Sequence, residues 1–375
     1  MVYTGLSGNE IYCLHQIGLQ PGDMVVGNSV FSMGLLGSIG SSFRGVVGGE
    51  VTQYTEIIAE GRRLAFERLS GEVKDKGGVA VTGVSSELVF QQGNIEFLSI
   101  GSTLHSKNPE IEPFSTSSDG QELYCQEDAG YQARKFVFGN VAYSIGVGQG
   151  LMGSLKSLGR GEVREYSDIF NTTRNLALYR IAVEAGQAGA NCVVGIETTI
   201  LPFSGVQEML MVGTASYNPN PAITSIGQIV TSDLTCEEMW NLTNLGYVPM
   251  RLLLGTSVYS LGIAGSVTSF LKSFAKGEIS ELTSLIYGAR EESLGKIAAE
   301  ATAIGADDVV GIKTYVYQLG SGLIEFLAIG TAVKRSTGVT TRSPQLVPQA
   351  IIRDKDTFFN SAEASFGVDL NQGAK

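Results

Sequence analysis

The chain has 375 residues, of which 43% are hydrophobic and only 17% charged, with 48 glycines and a net charge of −11. That apolar share is enough for real cores and excludes a disordered polyelectrolyte. The acidic balance, with no basic stripe, excludes a nucleic-acid binder, and the abundant glycine predicts many tight turns and close backbone approaches.

The first residues, Met1 to Glu10, hold neither a basic stretch nor an apolar one, so no secretory signal is expected. Ser7 and Glu10 have capping-box spacing and predict a short helix over Glu10–Ile17 that stops at Gly18. Met24–Phe31 reads as a buried strand, followed by a Gly/Ser-rich connector from Gly34 to Ser42. A long helix follows Glu50, with Tyr54, Ile57, Ile58, Gly61 and Ala65 at helical spacing. Two strands, Val79–Phe90 and Ile95–Leu104, close the pattern through a hairpin turn over Gln91–Asn94.

The same text then recurs twice. Gly27, Glu50, Arg62, Gly77, Gly83 and Gly101 reappear at constant spacing as Gly139, Glu162, Arg174, Gly189, Gly195 and Gly213. They return as Gly255, Glu278, Arg290, Gly305, Gly311 and Gly330, with one residue inserted before the last. The units run over 1–105, 116–217 and 231–334, with a C-terminal tail or arm, 335–375, that matches no repeat. Further short helices are expected over Glu122–Ala129 and Glu238–Leu245, and further first strands over Lys135–Tyr143 and Arg251–Tyr259. Pro-punctuated linkers, 106–116 and 218–222, separate the units. The predicted fold class is α+β, each unit a small, mostly antiparallel sheet with one long helix and a short preceding helix. The uncharged run Leu252–Leu271 is long enough to cross a bilayer. Set against its copies, it reads as a strand and a connector, so no membrane span is expected.

The strand end Leu-Gly-Thr-Ser-Val-Tyr259, the Gly-Glu pair before the long helix, Gly305-Ala-Asp-Asp-Val-Val-Gly-Ile312 and the closing Ile-Gly-Thr-Ala-Val-Lys334 resemble the YbjQ-like family, whose label is heavy-metal binding. The resemblance covers three tandem copies, the third matching best; the first has Lys76-Gly77-Gly78 where the pattern reads Gly-Ala-Asp. It implies a compact α+β domain that assembles into rings, pentameric in single-domain relatives, and supplies no catalytic residues.

Metal ligation needs converging thiolate or imidazole groups. Cys13 and Cys125 are equivalent, but Cys236 does not share their register, and His15 and His105 have no histidine counterparts. A repeated metal site is therefore not expected, no cofactor is assigned, and the four cysteines read as reduced thiols of a cytoplasmic protein. Gly146–Gly150 lacks the lysine of a phosphate loop and reads as a connector. The charges that recur are more informative: Glu50, Glu162 and Glu278 before the long helices, Arg62, Arg174 and Arg290 within them, and Glu96, Glu208 and Glu325 in the last strands. A glutamate in so apolar a strand needs a partner, and the arginines are the natural ones, in salt bridges or around a shared pocket. Arg68, Arg180 and Lys296 are expected to pair with Glu72, Glu184 and Glu300 along the helix. These features favour a non-enzymatic assembly protein that forms a large ring- or shell-like homo-oligomer, its partner being itself; the alternative is a metal- or small-ligand-binding sensor or storage protein with sites at unit interfaces.

Overall fold

A computed structural model describes residues 1–32, 49–91, 94–144, 161–203, 206–260, 280–320 and 323–345. The connectors predicted at 34–42 and 146–150, the distal half of the 252–271 run and the tip of the 91–94 turn lie outside these residues.

Unit 1 contains α1 (Gly8–Gln16), β1 (Leu19–Ser32), β2 (Gly49–Glu50), α2 (Thr52–Asp75), β3 (Ala80–Thr82), β4 (Glu87–Gln91) and β5 (Asn94–Ser106). Unit 2 follows with β6 (Phe114–Ser115), α3 (Gly120–Asp128), β7 (Gln132–Ser144), β8 (Gly161–Glu162), α4 (Arg164–Gln187), β9 (Cys192–Phe203) and β10 (Val206–Tyr217). Unit 3 adds α5 (Pro221–Thr224), β11 (Val230–Thr231), α6 (Cys236–Asn244), β12 (Tyr247–Ser260), α7 (Ser280–Ala303), β13 (Asp308–Gly320) and β14 (Leu323–Arg335). The expected α+β unit is therefore present three times.

Local chemistry explains the repetition. Ser7, Asp119 and Thr235 each cap a short helix and each closes a capping box with a glutamate, Glu10, Glu122 and Glu238. In every unit the long helix lies across the first strand at a glycine. A Cβ added at Gly27, Gly139 or Gly255 would fall 2.1 to 2.2 Å from the carbonyl oxygen of Ala65, Ala177 or Ser293, so no larger residue fits. Arg68, Arg180 and Lys296 then donate to the carbonyls of Asn28, Asn140 and Thr256 on that strand. Glu72 and Glu184 accept the backbone N–H of Val26 and Phe138. These side chains clamp helix to strand; the expected pairing along the helix is replaced by this grip, and Glu72 takes Lys76 as its ion partner.

Two predicted features differ. The strand expected over Val79–Phe90 is broken into β3 and β4 around Gly83, whose φ is 62°. The segments between units are also more than spacers: β6, within the 106–116 linker, pairs parallel with β3, and β11, just beyond the 218–222 linker, pairs parallel with β9.

Each sheet therefore contains pieces of its neighbours. The orders are β1-β5-β3-β6 with β4 on β5, then β11-β9-β10-β7-β2, then β13-β14-β12-β8. The central sheet takes β2 from unit 1 on one edge and β11 from unit 3 on the other. The short helices α1, α3 and α6 line up along the same series, α3 packing against both others. The first residues of the tail cross back to α3, where Arg342 N–H donates to the Asp128 carbonyl at 2.9 Å and Ser343 Oγ to its carboxylate at 2.7 Å. That part of the predicted arm docks on its own chain; residues 346–375 lie outside the described residues.

Candidate functional site

The junction between units gathers most of the recurrent charges. Gly49–Glu50 leaves its own unit and pairs antiparallel with Ser144 and Tyr143 at the end of β7; Gly161–Glu162 does the same with Ser260 and Tyr259 of β12. Val51 N–H then donates to the Ala142 carbonyl, and Val163 N–H to that of Val258, both at 2.7 Å. One turn into the helix, Thr55 Oγ1 accepts Ala142 N–H at 2.9 Å, and Ser167 Oγ accepts Val258 N–H at 2.8 Å. The long helices α2 and α4 thus start on the next unit's sheet and end on their own.

Two turns further on, the helix inserts an arginine between the sheets. Arg62 Nε and Nη2 reach the two carboxylate oxygens of Glu208 at 3.1 and 2.8 Å. Arg174 meets Glu325 in the same two-pronged way at 2.6 and 2.5 Å. All four side chains are fully buried, and the two arginines are the largest such side chains among the described residues. Asn140 Nδ2 supports the first pair by donating to Glu208 at 3.3 Å and to the Thr55 carbonyl. The Arg174 guanidinium lies 5.2 to 6.0 Å from the ring centres of Tyr143, Tyr317 and Phe170. Burial alone would lower its proton affinity, but Glu325 outweighs that and holds it above the ordinary arginine range, while burial pushes the Tyr317 phenol up to about 12.

Glu50 and Glu162 occupy strand positions, and the N-caps are Val51 and Val163, which form no side-chain cap bond. Their carboxylates reach the following unit instead, Glu50 to Arg180 at 2.7 Å and Glu162 to Lys296 at 3.5 Å. The third set is split. Arg290 is exposed on α7 in unit 3, Glu96 lies on β5 in unit 1 with Asn28 Nδ2 at 2.9 Å, and Glu278 falls outside the described residues. The arginines therefore find their glutamates in the next unit, Glu208 for Arg62 and Glu325 for Arg174. Sequence reasoning missed Thr55, Ser167 and Asn140 at these junctions; the hydroxyl shared by Thr55, Ser167 and Thr283 was the available signal.

Chemically, a buried bidentate pair engages both charges and fixes one register between two surfaces. Breaking it leaves an uncompensated charge, which costs about 3–5 kcal/mol. The residues do not fit a metal centre. All four cysteines are buried and none is in a disulfide. Burial, helped by Asp119 and Glu10, pushes Cys13 up to about 11, and Cys125, Cys192 and Cys236 are also raised by burial. A metal would have to displace those protons, since ligation needs thiolate. Among the described residues no group of three or more His, Cys, Asp or Glu side chains is placed to hold a metal ion. A cleft of about 820 Å³ between units 1 and 2 is lined by Glu110, Glu112, Glu127 and Arg134 among others, and by none of the recurrent residues above. No helix among the described residues is long and apolar enough to cross a membrane.

Three linked α+β units joined by repeated strand exchange define a tandem-repeat protein. The chain belongs to the YbjQ family, described as "Putative heavy-metal-binding", which matches residues 19–102, 126–218 and 247–336. It is similar to the encapsulin nanocompartment protein of Mycobacterium tuberculosis, 26% identical over 242 residues, covering 62% of this chain and 90% of that one. A UPF0145 protein of Vibrio parahaemolyticus is 40% identical over 85 residues, 22% of this chain and 81% of its own. One from Vibrio campbellii is 42% identical over 80 residues, 21% of this chain and 77% of its own.

Proposed function

We propose that this chain is a non-enzymatic assembly protein whose product is a closed, ring- or shell-like homo-oligomer. The observation that carries the reading is the junction between units: one contact, with the same strand exchange, the same hydroxyl bond and the same buried Arg–Glu pair, is used twice in succession. Such a contact joins two different surfaces, so each unit that uses one surface still offers the other. Heterologous contacts of this kind propagate until they close a ring or run on as a filament. The mycobacterial relative, named as an encapsulin nanocompartment protein, supports closure into a compartment. The consecutive packing of the three units, each on the next, supports an arrangement with all three side by side in a single ring or shell.

The test is the mass and shape of the purified chain. Light scattering after size exclusion is expected to give a multiple of the 39.7 kDa chain mass, and electron microscopy to show closed particles. A single-chain mass at micromolar concentration sinks the proposal.

A further inference from the structure

The two internal junctions show what each end of the chain lacks. In units 2 and 3 the outer face of the first strand is covered by the helix of the preceding unit: Phe136 and Leu252 are 1% and 0% exposed, and Ala142 and Val258 are both 0%. Their counterparts in unit 1, Met24 and Val30, are 48% and 59% exposed, and Val26 between them is 43% exposed. That is an apolar stripe on β1 with Glu96 beside it on β5; β1 pairs with β5 throughout, Val30 directly opposite Glu96.

The opposite end shows the matching deficit. Val84 and Ile196 are each 2% exposed, because the following linker covers them and the carbonyls of Thr116 and Ser232 accept their N–H groups at 2.9 Å. Ile312, their counterpart in unit 3, is 47% exposed. On α7, Thr283 and Arg290 are exposed where Thr55, Ser167, Arg62 and Arg174 are buried.

The N-terminal residues are already set for the missing linker strand. The Tyr3 carbonyl accepts Met24 N–H at 2.7 Å, at the place where Ser115 Oγ accepts Phe136 N–H and Thr231 Oγ1 accepts Leu252 N–H. Val2 and Tyr3 thus lie along their own first strand as β6 and β11 do, but they are 53% and 73% exposed.

We infer that the two ends are complementary halves of a third junction, formed head to tail between two copies of this chain. Arg290 of one copy enters beside Val30 and reaches Glu96 of the next, while Thr283 takes the Val30 N–H. Residues Val2–Tyr3 of that next copy lie beside Asp308–Val309 of the first and cover Ile312. The occupant is a second copy because the surface continues an interface used twice within the chain, and because the exposed Arg290 of one face matches Glu96 of the other. Both halves of the deficit belong to the same pair of units, so one docking event repairs both edges.

This inference rests on the assembly reading, and the experiment separates the two. R290E and E96R chains are prepared apart and together, with circular dichroism and thermal melts to verify that each folds as the wild type does. Sedimentation is expected to show each variant alone at half the wild-type assembly mass or less, down to 39.7 kDa. An equimolar mixture is expected to associate, since Arg290 on the E96R chain can meet Glu96 on the R290E chain. If the wild type assembles and R290E assembles to the same mass, this junction is wrong while the assembly reading stands. A mixture no larger than either variant alone likewise rejects the junction. A wild type at single-chain mass rejects both.

Discussion

The junctions inside the chain and the surfaces at its ends are made of the same residues in opposite states. Arg62 and Arg174 are fully buried against glutamates; Arg290, at the same helical position, is exposed. Ala142 and Val258 are inaccessible, whereas Val30 is among the more exposed apolar residues. Sequence cannot distinguish these positions, because burial here is set by whether a neighbouring unit follows. The lesson is that a repeat's chemistry belongs to the junction rather than to the unit. An isolated unit would carry an unpaired arginine on one side and a glutamate in an apolar strand on the other.

The hardest way to break an internal junction is to remove one charge of its buried pair. Arg174→Met leaves the buried Glu325 carboxyl without its arginine, and should lower stability by about 3–5 kcal/mol in urea titrations. Replacing Glu325 with Leu in the same chain should recover most of that loss, since a hydrophobic pair of similar volume is tolerated. At the chain end the corresponding Arg290→Met should change the stability of the unassembled chain by no more than about 0.5 kcal/mol, as for other exposed sites. Equal losses at the two positions would erase the comparison.

Next in size is the glycine that lets helix and strand approach. In Gly139→Ala the new Cβ would sit 2.2 Å from the Ala177 carbonyl oxygen, and the backbone must shift. Overpacking of this kind costs about 1–3 kcal/mol. Because α4 also carries Arg174, the shift should weaken the junction to unit 3 along with the unit itself. Faster hydrogen exchange at Val258 N–H, beside unchanged exchange in β1, would report that coupling.

A smaller effect is confined to a pH window. Glu122 closes the capping box of α3 next to Asp119 and faces Glu237 of α6; burial, then those neighbouring charges, push its carboxyl up to about 8. A raised folded-state value means that the folded chain keeps a proton the unfolded chain releases. Its contribution is therefore present below about pH 4.5 and is lost as pH rises through about 8. Glu122→Gln keeps the cap acceptor and removes the charge. Melting temperatures of the variant and wild type should coincide near pH 4 and diverge in the variant's favour above pH 8.

How far the sequence could carry this reading follows from what repeats encode. The α+β unit was legible because its signals are local: Ser7 and Glu10 at capping distance, alternating strand residues, and glycines at constant offsets. The need of Glu208 and Glu325 for arginine partners was legible too, from the cost of a buried carboxylate. That each arginine reaches forward into the next unit was not, since the number of residues from Arg62 to Glu96 is the same whether Arg62 pairs within its own unit or beyond it. Equally hidden were β6 and β11: Phe114–Ser115 and Val230–Thr231 are two-residue strands with no periodicity to detect. The grip of Arg68 and Glu72 on the backbone of β1 was misread as a pair along the helix, because i,i+4 spacing permits both and only the close strand contact at Gly27 decides.

The mildest test concerns one hydroxyl. Ser167 Oγ accepts the Val258 N–H at 2.8 Å across the junction and is wholly buried. In Ser167→Ala that N–H loses its partner in a dry interface, a loss of about 1 kcal/mol, whereas Ser167→Thr keeps an acceptor in the chemistry that Thr55 already uses toward Ala142. Urea titration of the three chains should place Ser167→Thr close to the wild type and Ser167→Ala below it. Thr283→Ala, at the matching position of the exposed α7 face, should leave unassembled chains unchanged and lower only the affinity of one copy for the next. If Thr283→Ala instead destabilised the unassembled chain as much as Ser167→Ala does, Thr283 would already have a partner within its own chain, and the contrast between interior junction and chain end would not hold there.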